Sequence, residues 1–495
     1  MAARGSIAID LGAESGRVMI GVLRTGELSL HESHRFLHAP APMPGALTWD
    51  LPLIWREIRE GLKRAAAWAD EHDVEIASVG VDTWGVDFAL LGKDGALLAL
   101  PRCYRNPEHA EGLALLDDKL GRAGIYGLTG IRSMALNTSS QLAGWVAREP
   151  SIFQATGRLL FMPDLFHFML SGVACTEQSI ASTSQLLDAQ TRDWSGDVLR
   201  AIGLPRESLP NIVQPGSVLG PLLPEIARDT GLSPSIRVVA PAAHDTASAV
   251  VGTPLSSEQS CYLSSGTWSL LGVELDRAIV SDEARAAEFT NEHGVSGTTR
   301  FLKNVIGLWL VQEIKRDLAR RGVDMTYEQL AALAERAAPF RSRINVDAPE
   351  LTLAGDMIKK VQSLAREAGD PEPTTPGELV RACLEGLAAA YARTIEQVER
   401  ITGRTIATIH LVGGGVKNTL LNQMTADATG RRVLAGPSEA TAMGNVMVQL
   451  MGIGEVAGLA QAREIVRKSC RPMEYSPRSE PGWGRLVGRT RETTR

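Results

Sequence analysis

The run Asp10-Leu11-Gly12-Ala13-Glu14-Ser15-Gly16-Arg17 follows directly on the apolar residues Ile7, Ala8 and Ile9. Glycines in such a turn let the main chain approach an anion and aim N–H groups at it. Ser15 would add a hydroxyl donor, Arg17 a permanent cation, and Asp10 a carboxylate able to hold Mg²⁺ directly or through water. The same residues also suit an ordinary hairpin with a surface ion pair. A second turn, Ser264-Ser265-Gly266-Thr267-Trp268-Ser269, sets hydroxyls around a glycine, as a phosphate cradle would and as many plain turns do. A third, Gly413-Gly414-Gly415, would admit flat packing of an adenine or a phosphate at the next helix start, or serve only as a tight turn. His244-Asp245-Thr246 offers the base that a phosphoryl-accepting hydroxyl needs. An Asp just before a helix is also a preferred N-cap, worth about 1 kcal/mol, and the two roles are compatible. In Asp82-Thr83-Trp84-Gly85-Val86-Asp87, carboxylate, hydroxyl and ring could line a sugar pocket, although Trp in such a loop more often packs in the core. Asn304 and Gln312 are polar positions on an otherwise apolar stretch that reads as helical. No GxxxxGK[ST] loop is present, and no strand-linked GxGxxG with a downstream acid, which excludes a Walker-type loop and disfavours a dinucleotide site.

The elements that would hold these residues are α/β. Residues 6–23 read as strand, glycine turn and strand, and 261–274 repeat the pattern about 255 residues later, which suggests two similar lobes built by duplication. Strands are expected over 75–82 and 86–91, a buried strand running into a loop over 236–245, and helices over 139–150 and 160–170. A further helix should start at Thr246. Val380, Leu384, Leu387, Tyr391, Ile395 and Val398, spaced by three and four, mark one face of a long helix. Strand 405–412, the triple glycine, helix 418–429, strand 431–436 and helix 440–451 then alternate as in a largely parallel sheet. Residues 365–376 read as an exposed loop. The expected division is a lobe over 1–247, a lobe over 248–475, and a polar surface tail over 476–495.

With 495 residues, 44% hydrophobic and 22% charged, the chain has material for two large cores. A net charge of -6 and a pI of about 5.9 give no reason to expect nucleic acid or an anionic membrane as partner. Cys103, Cys175, Cys261, Cys383 and Cys470 are scattered without a CxxC pair, against a disulfide scaffold or a cysteine-built metal site. No secretory h-region and no 18-residue uncharged apolar run occur, so the cytoplasm is the expected location.

DLGAESGR, DTWGVDF, AAHDTASAV, YLSSGTWSLLG, LKNVIGLWL and the run from LVGGGVKN to ATAMGN, in this order, resemble the FGGY carbohydrate kinases over about residues 5–475. DTWGVDF, YLSSGTWSL and the stretch from Gly413 resemble the branch that acts on L-rhamnulose more than those for xylulose, glycerol or gluconate. The resemblance implies two ribonuclease-H-like, actin-like lobes with ATP in the cleft between them. It further implies Mg²⁺-dependent transfer of the γ-phosphoryl group to O1 of the ketose. By motif, Ala13, Glu14, Ser15, Gly16 and Arg17 would bind ATP phosphates, and Thr267, Gln312, Gly413, Gly414 and Gly415 the rest of the nucleotide. Gly85, His244, Asp245, Thr246 and Asn304 would contact the sugar, beside Asp82 and Trp84, with Asp245 as proton acceptor and Asp10 toward the metal. Glu14 stands where the family often has a small Ser or Thr, so its side chain is expected to turn away from the phosphates. Partners are then ketose and ATP, with the chain a monomer or weak homodimer. Phosphorylation of another ketose such as L-fuculose, or non-catalytic sugar sensing on an actin-like scaffold, is the alternative.

Overall fold

The computed structural model describes residues 3–489. Two compact units form. The first comprises Met1–Pro254, Glu274–Phe301 and Ala440–Cys470, the second Leu255–Val273, Leu302–Glu439 and Arg471–Arg495. Each unit is assembled from separate stretches of the chain. Helix Ala440–Gly452 joins the first unit because small residues bring it onto helix Asp245–Val251. A Cβ on Gly444 would lie 1.8 Å from the Ser248 carbonyl oxygen, and one on Gly252 2.0 Å from that of Ala440. The same helix sends Asn445 and Gln449 into the first sheet, where Gln449 Nε2 donates to the Ile7 carbonyl at 2.9 Å.

The first unit's sheet has the order Ser217–Pro221, Arg237–Ala240, Val74–Thr83, Ala3–Leu11, Ser15–Arg24, Glu27–Leu37. Ala3–Leu11 is antiparallel to Ser15–Arg24 and parallel to Val74–Thr83. Val74–Thr83 in turn is parallel to Arg237–Ala240, whose edge partner is antiparallel. The second main sheet has the order Met473–Tyr475, Arg432–Ala435, Thr408–Val412, Ser260–Ser265, Trp268–Leu275, Thr299–Ile306, Thr290–His293. Ser260–Ser265 is likewise antiparallel to its hairpin partner and parallel to Thr408–Val412, which is parallel to Arg432–Ala435, with an antiparallel edge strand beyond. The repeated topology is the two-lobed α/β duplication that the paired hairpins imply. Ser6 to Leu11 are wholly or almost wholly buried, as a central strand covered on both faces must be.

Local signals set most boundaries. Helix Pro376–Thr402 opens with a Thr375/Glu378 capping box and Pro376 in its first turn, and ends at Gly403 with φ +70°. Strand Phe88–Leu91 forms as expected, but it pairs with Arg158–Phe161 outside the main sheet. Asn304 lies on strand Thr299–Ile306, not on a helix, because Gly307 breaks the apolar run and the helix begins only at Trp309. The C-terminal segment is more than a polar tail. Helix Gly482–Arg489 docks Trp483 edge-on against Phe340, with ring centroids 5.0 Å apart, and buries Leu486. Residues 490–495 of the expected tail lie outside the described residues. No helix among the described residues is long and apolar enough to cross a membrane.

Candidate active site

Three parallel strands of the first unit end side by side. Asp10 and Asp82 are register partners on Ala3–Leu11 and Val74–Thr83. The Thr83 N–H donates to the Ala243 carbonyl at 2.9 Å and the Trp84 N–H to that of Leu11 at 3.0 Å, which joins the three loops that leave these strands. The carboxyl ends of parallel strands are where α/β sheets place their chemistry. Asp82 is fully buried, and Asn445 Nδ2 donates to its Oδ2 at 2.6 Å. Burial first, then the nearby charge of Asp10, pushes its carboxyl well above the usual range, against the lowering effect of Asn445.

Asp10 receives Arg17 Nη2 at 2.5 Å, so this guanidinium is engaged with a carboxylate. The turn itself is closed by a Gly12 N–H to Ser15 carbonyl bond of 2.9 Å, and it leaves Gly12, Ala13 and Ser15 half-buried and Glu14 exposed. Glu14 faces Arg105 at 3.9 Å. Gly16 is buried, and a Cβ there would lie 2.3 Å from the Phe36 ring, so packing alone demands its glycine.

His244, not Asp245, occupies the N-cap position of helix Asp245–Val251, and its side chain makes no capping bond. The Asp245 carboxylate is about one-third exposed and accepts from the Thr246 N–H (2.5 Å) and Thr246 Oγ1 (3.1 Å). Beside it, a Cβ on Gly85 would stand 3.4 Å from His244 Nε2. Trp84 is almost fully buried, its ring 4.2 Å from that of Trp49, and its Nε1 donates to Asp87 at 3.0 Å. The Trp84 ring is thus a wall of the core behind the loop, and Asp82 has no exposed surface.

In the second unit the Ser265–Trp268 turn packs on the start of helix Trp309–Arg320: the Leu308 N–H donates to the Gly266 carbonyl at 2.9 Å. Gln312 Nε2 reaches Thr267 Oγ1 at 3.3 Å, while its Oε1 is buried without a partner. Gly413 adopts φ +84°, and a Cβ on Gly415 would meet Ser265 Oγ at 2.1 Å, so the first and third glycines serve the turn and its packing. Gly414 has nothing within 4 Å and is the open member. A 3₁₀ turn, Gly414–Lys417, separates the glycines from helix Thr419–Thr429. Of the residues expected to contact the sugar, Asn304 belongs to the second unit and the rest to the first. Residues 6–252 match the FGGY family of carbohydrate kinases, N-terminal domain, and residues 261–453 its C-terminal domain.

The chain belongs to this family.

A rhamnulokinase from Bacteroides thetaiotaomicron is 41% identical over 476 residues, covering 96% of both chains. One from Bacillus subtilis is 37% identical over 471 residues, covering 95% of both. Among solved structures, a ligand-bound xylulose kinase from Lactobacillus acidophilus superposes with a TM-score of 0.83 at 16% identity, covering 99% of this chain and 97% of that one. A Plasmodium falciparum glycerol kinase with ADP gives 0.80 at 16%, covering 99% and 98%. These two similarities speak for the fold.

Some residues of this FGGY kinase have a part that the sequence reading did not give them, Asp87 of the DTWGVDF run among them. Asp87 is buried and accepts from Trp49 Nε1 (2.6 Å), Trp84 Nε1 (3.0 Å), Gln141 Nε2 (3.1 Å) and the Tyr104 N–H (3.2 Å). Burial pushes its carboxyl up to about 7 against these four donors. It thereby organises the DTWGVD loop, in which Val86 is held at φ +70°, strained for a β-branched residue. Three contacts hold that strain: the Val86 N–H donates to Thr183 Oγ1 at 3.2 Å, and its carbonyl accepts from Thr138 Oγ1 at 2.6 Å and Gln141 Nε2 at 3.4 Å. Glu177 accepts from the Ala243 N–H, Glu292 and Arg300 stand 3.2 Å from His244 Nδ1, and Asn445 donates to Asp82. The one signal they carry in sequence is a charged or amide residue inside an otherwise buried segment, as Arg300 is in TTRFL.

Proposed function

We propose that this carbohydrate kinase transfers the γ-phosphoryl group of ATP to O1 of L-rhamnulose, giving L-rhamnulose 1-phosphate and ADP. The observation that carries the chemistry is the Asp245 carboxylate: part-exposed, at the mouth of three parallel strands, and anchored by its own backbone neighbour. The near full-length similarity to rhamnulokinases supports the choice of sugar.

In this reading Asp245 accepts the proton of the attacking hydroxyl, while Gly85, His244, Thr246 and Asn304 orient the ketose. The Ala13 to Arg17 turn and the Thr267 hydroxyl, steadied by Gln312, hold phosphate oxygens, and the open face of Gly414 suits a flat base. Mg²⁺ fits the acidic strand ends: the buried Asp82 Oδ1 has no hydrogen-bond donor, and Asp10 stands beside it. Asp10 would hold the ion, directly or through water, and the ion would neutralise charge on the phosphates.

ADP release measured over a panel of ketoses tests the assignment. L-rhamnulose should give the highest kcat/KM, and faster turnover of L-fuculose would move the reading to that sugar. Asp245→Asn should lower kcat by about 10²–10⁴-fold with ATP binding retained. Thr267→Val should raise KM for ATP and leave KM for the sugar little changed, and the reverse pattern would remove the phosphate role.

A further inference from the structure

Asp245 has few restraints of its own. Apart from the bonds to Thr246, its carboxylate meets, among the described residues, only His244 Nε2, at 3.3 Å. His244 is held from behind by two charged residues that the reaction as described leaves without a role. Its Nδ1 is 3.2 Å from Glu292 Oε2 and 3.2 Å from Arg300 Nη2, and these two atoms are 3.0 Å from each other. The Arg300 side chain has no exposed surface and that of Glu292 is 9% exposed. Burial by itself would raise the Glu292 carboxyl, but Arg300 and His244 outweigh it and hold it down to about 2, so Glu292 is ionised at neutral pH.

The arrangement fixes what His244 presents to the base. When Nδ1 accepts from the guanidinium, the ring proton must sit on Nε2. With that proton in place, Nε2 stands 3.3 Å from Asp245 Oδ1 as a charge contact. The main chain is pinned as well: the His244 N–H donates to Ser179 Oγ at 3.2 Å and the Ala243 N–H to Glu177 Oε2 at 3.0 Å. A buried ion pair is weak evidence of stabilisation, since apolar residues of similar volume often do as well. Its placement against the residue that touches the base calls for another explanation.

We propose that Glu292 and Arg300 are positioning residues for phosphoryl transfer, orienting the Asp245 carboxylate through His244. The inference rests on the reading of Asp245 as proton acceptor. It explains why a charged pair is retained on strands Thr290–His293 and Thr299–Ile306, whose other side chains around it are buried.

The double variant Glu292→Leu/Arg300→Met tests it, because it leaves no unpaired charge and removes both partners of Nδ1. It should melt near the parent temperature and keep the parental KM for ATP, with kcat lower by about 10–100-fold, the usual effect of losing a supporting contact behind a reactive group. Glu292→Gln, which keeps Arg300 as the donor to Nδ1, should lose less, and it serves if the double variant does not fold. In an Asp245→Asn background the same substitutions should lower kcat no further. Parental kcat in the double variant, or an equal loss with and without Asp245, overturns the proposal. A parental rate for Asp245→Asn alone would refute the base reading itself.

Discussion

Gly444→Ala sets two effects of opposite sign against each other at one position. In a helix interior the change should stabilise by roughly 0.8–1.0 kcal/mol, because alanine loses less backbone freedom on folding. At Gly444 the new methyl would stand 1.8 Å from the Ser248 carbonyl oxygen, 2.6 Å from its carbon and 2.9 Å from the Gly252 nitrogen. All three are backbone atoms of, or just beyond, helix Asp245–Val251, so no side chain can swing aside. Ordinary contact needs about 3.5 Å, so the two helices must part by roughly 1.5 Å. Overpacking of that kind costs typically 1–3 kcal/mol, and here the upper part of that range applies. The expected net effect is a loss of about 1–2 kcal/mol, with a lower kcat because Asp245 rides on the displaced helix. Gly127, on helix Arg122–Thr129, is the control: nothing lies within 4 Å of its Cβ position, so Gly127→Ala should raise stability by a few tenths to about 1 kcal/mol. Urea midpoints of both variants against the parent, with kcat in parallel, decide the matter. A Gly444→Ala enzyme as stable and as active as the parent would refute the claim that backbone contact between these helices sets the position of Asp245.

Asp87 makes a pH prediction. Its carboxyl is raised from 3.8 to about 7 in the folded chain, so the folded state holds a proton that the unfolded state releases, and its contribution to stability falls as pH rises from about 4 to about 7. Asp87→Asn should therefore gain on the parent across that window in urea titrations at a series of pH values; a pH-independent difference between the two would show that Asp87 stays ionised throughout. Trp483→Ala should free the C-terminal helix from Phe340, lowering the urea midpoint and exposing the segment after 475 to limited proteolysis, with a cost of about 3 kcal/mol or less, since the helix lies at the edge of its unit. Unchanged proteolysis would mean that other contacts hold the helix.

The sequence by itself determined many of the elements and the glycine turns, though not the strand that carries Asn304. Apolar runs that end in Asp10 and Asp82, a capping box ahead of a long amphipathic face, and two glycine hairpins in like settings are local patterns, and local patterns specify strands, helices and their ends. The order of motifs then identified the family, and with it Asp245 as the candidate base. The tertiary structure decided which residues stand around that base. Glu292 and Arg300 lie about fifty residues from His244 in sequence, and no periodicity announces that their strands bring them to its ring. Helix Ala440–Gly452 reads as an ordinary late helix, yet it belongs with the first unit, because Gly252 and Gly444 permit a contact that only the folded backbone reveals. The same holds for single glycines. Gly16 and Gly414 look alike in sequence, but one is forced by the Phe36 ring and the other faces open space, since what a missing side chain would have met depends on neighbours that the chain supplies from elsewhere.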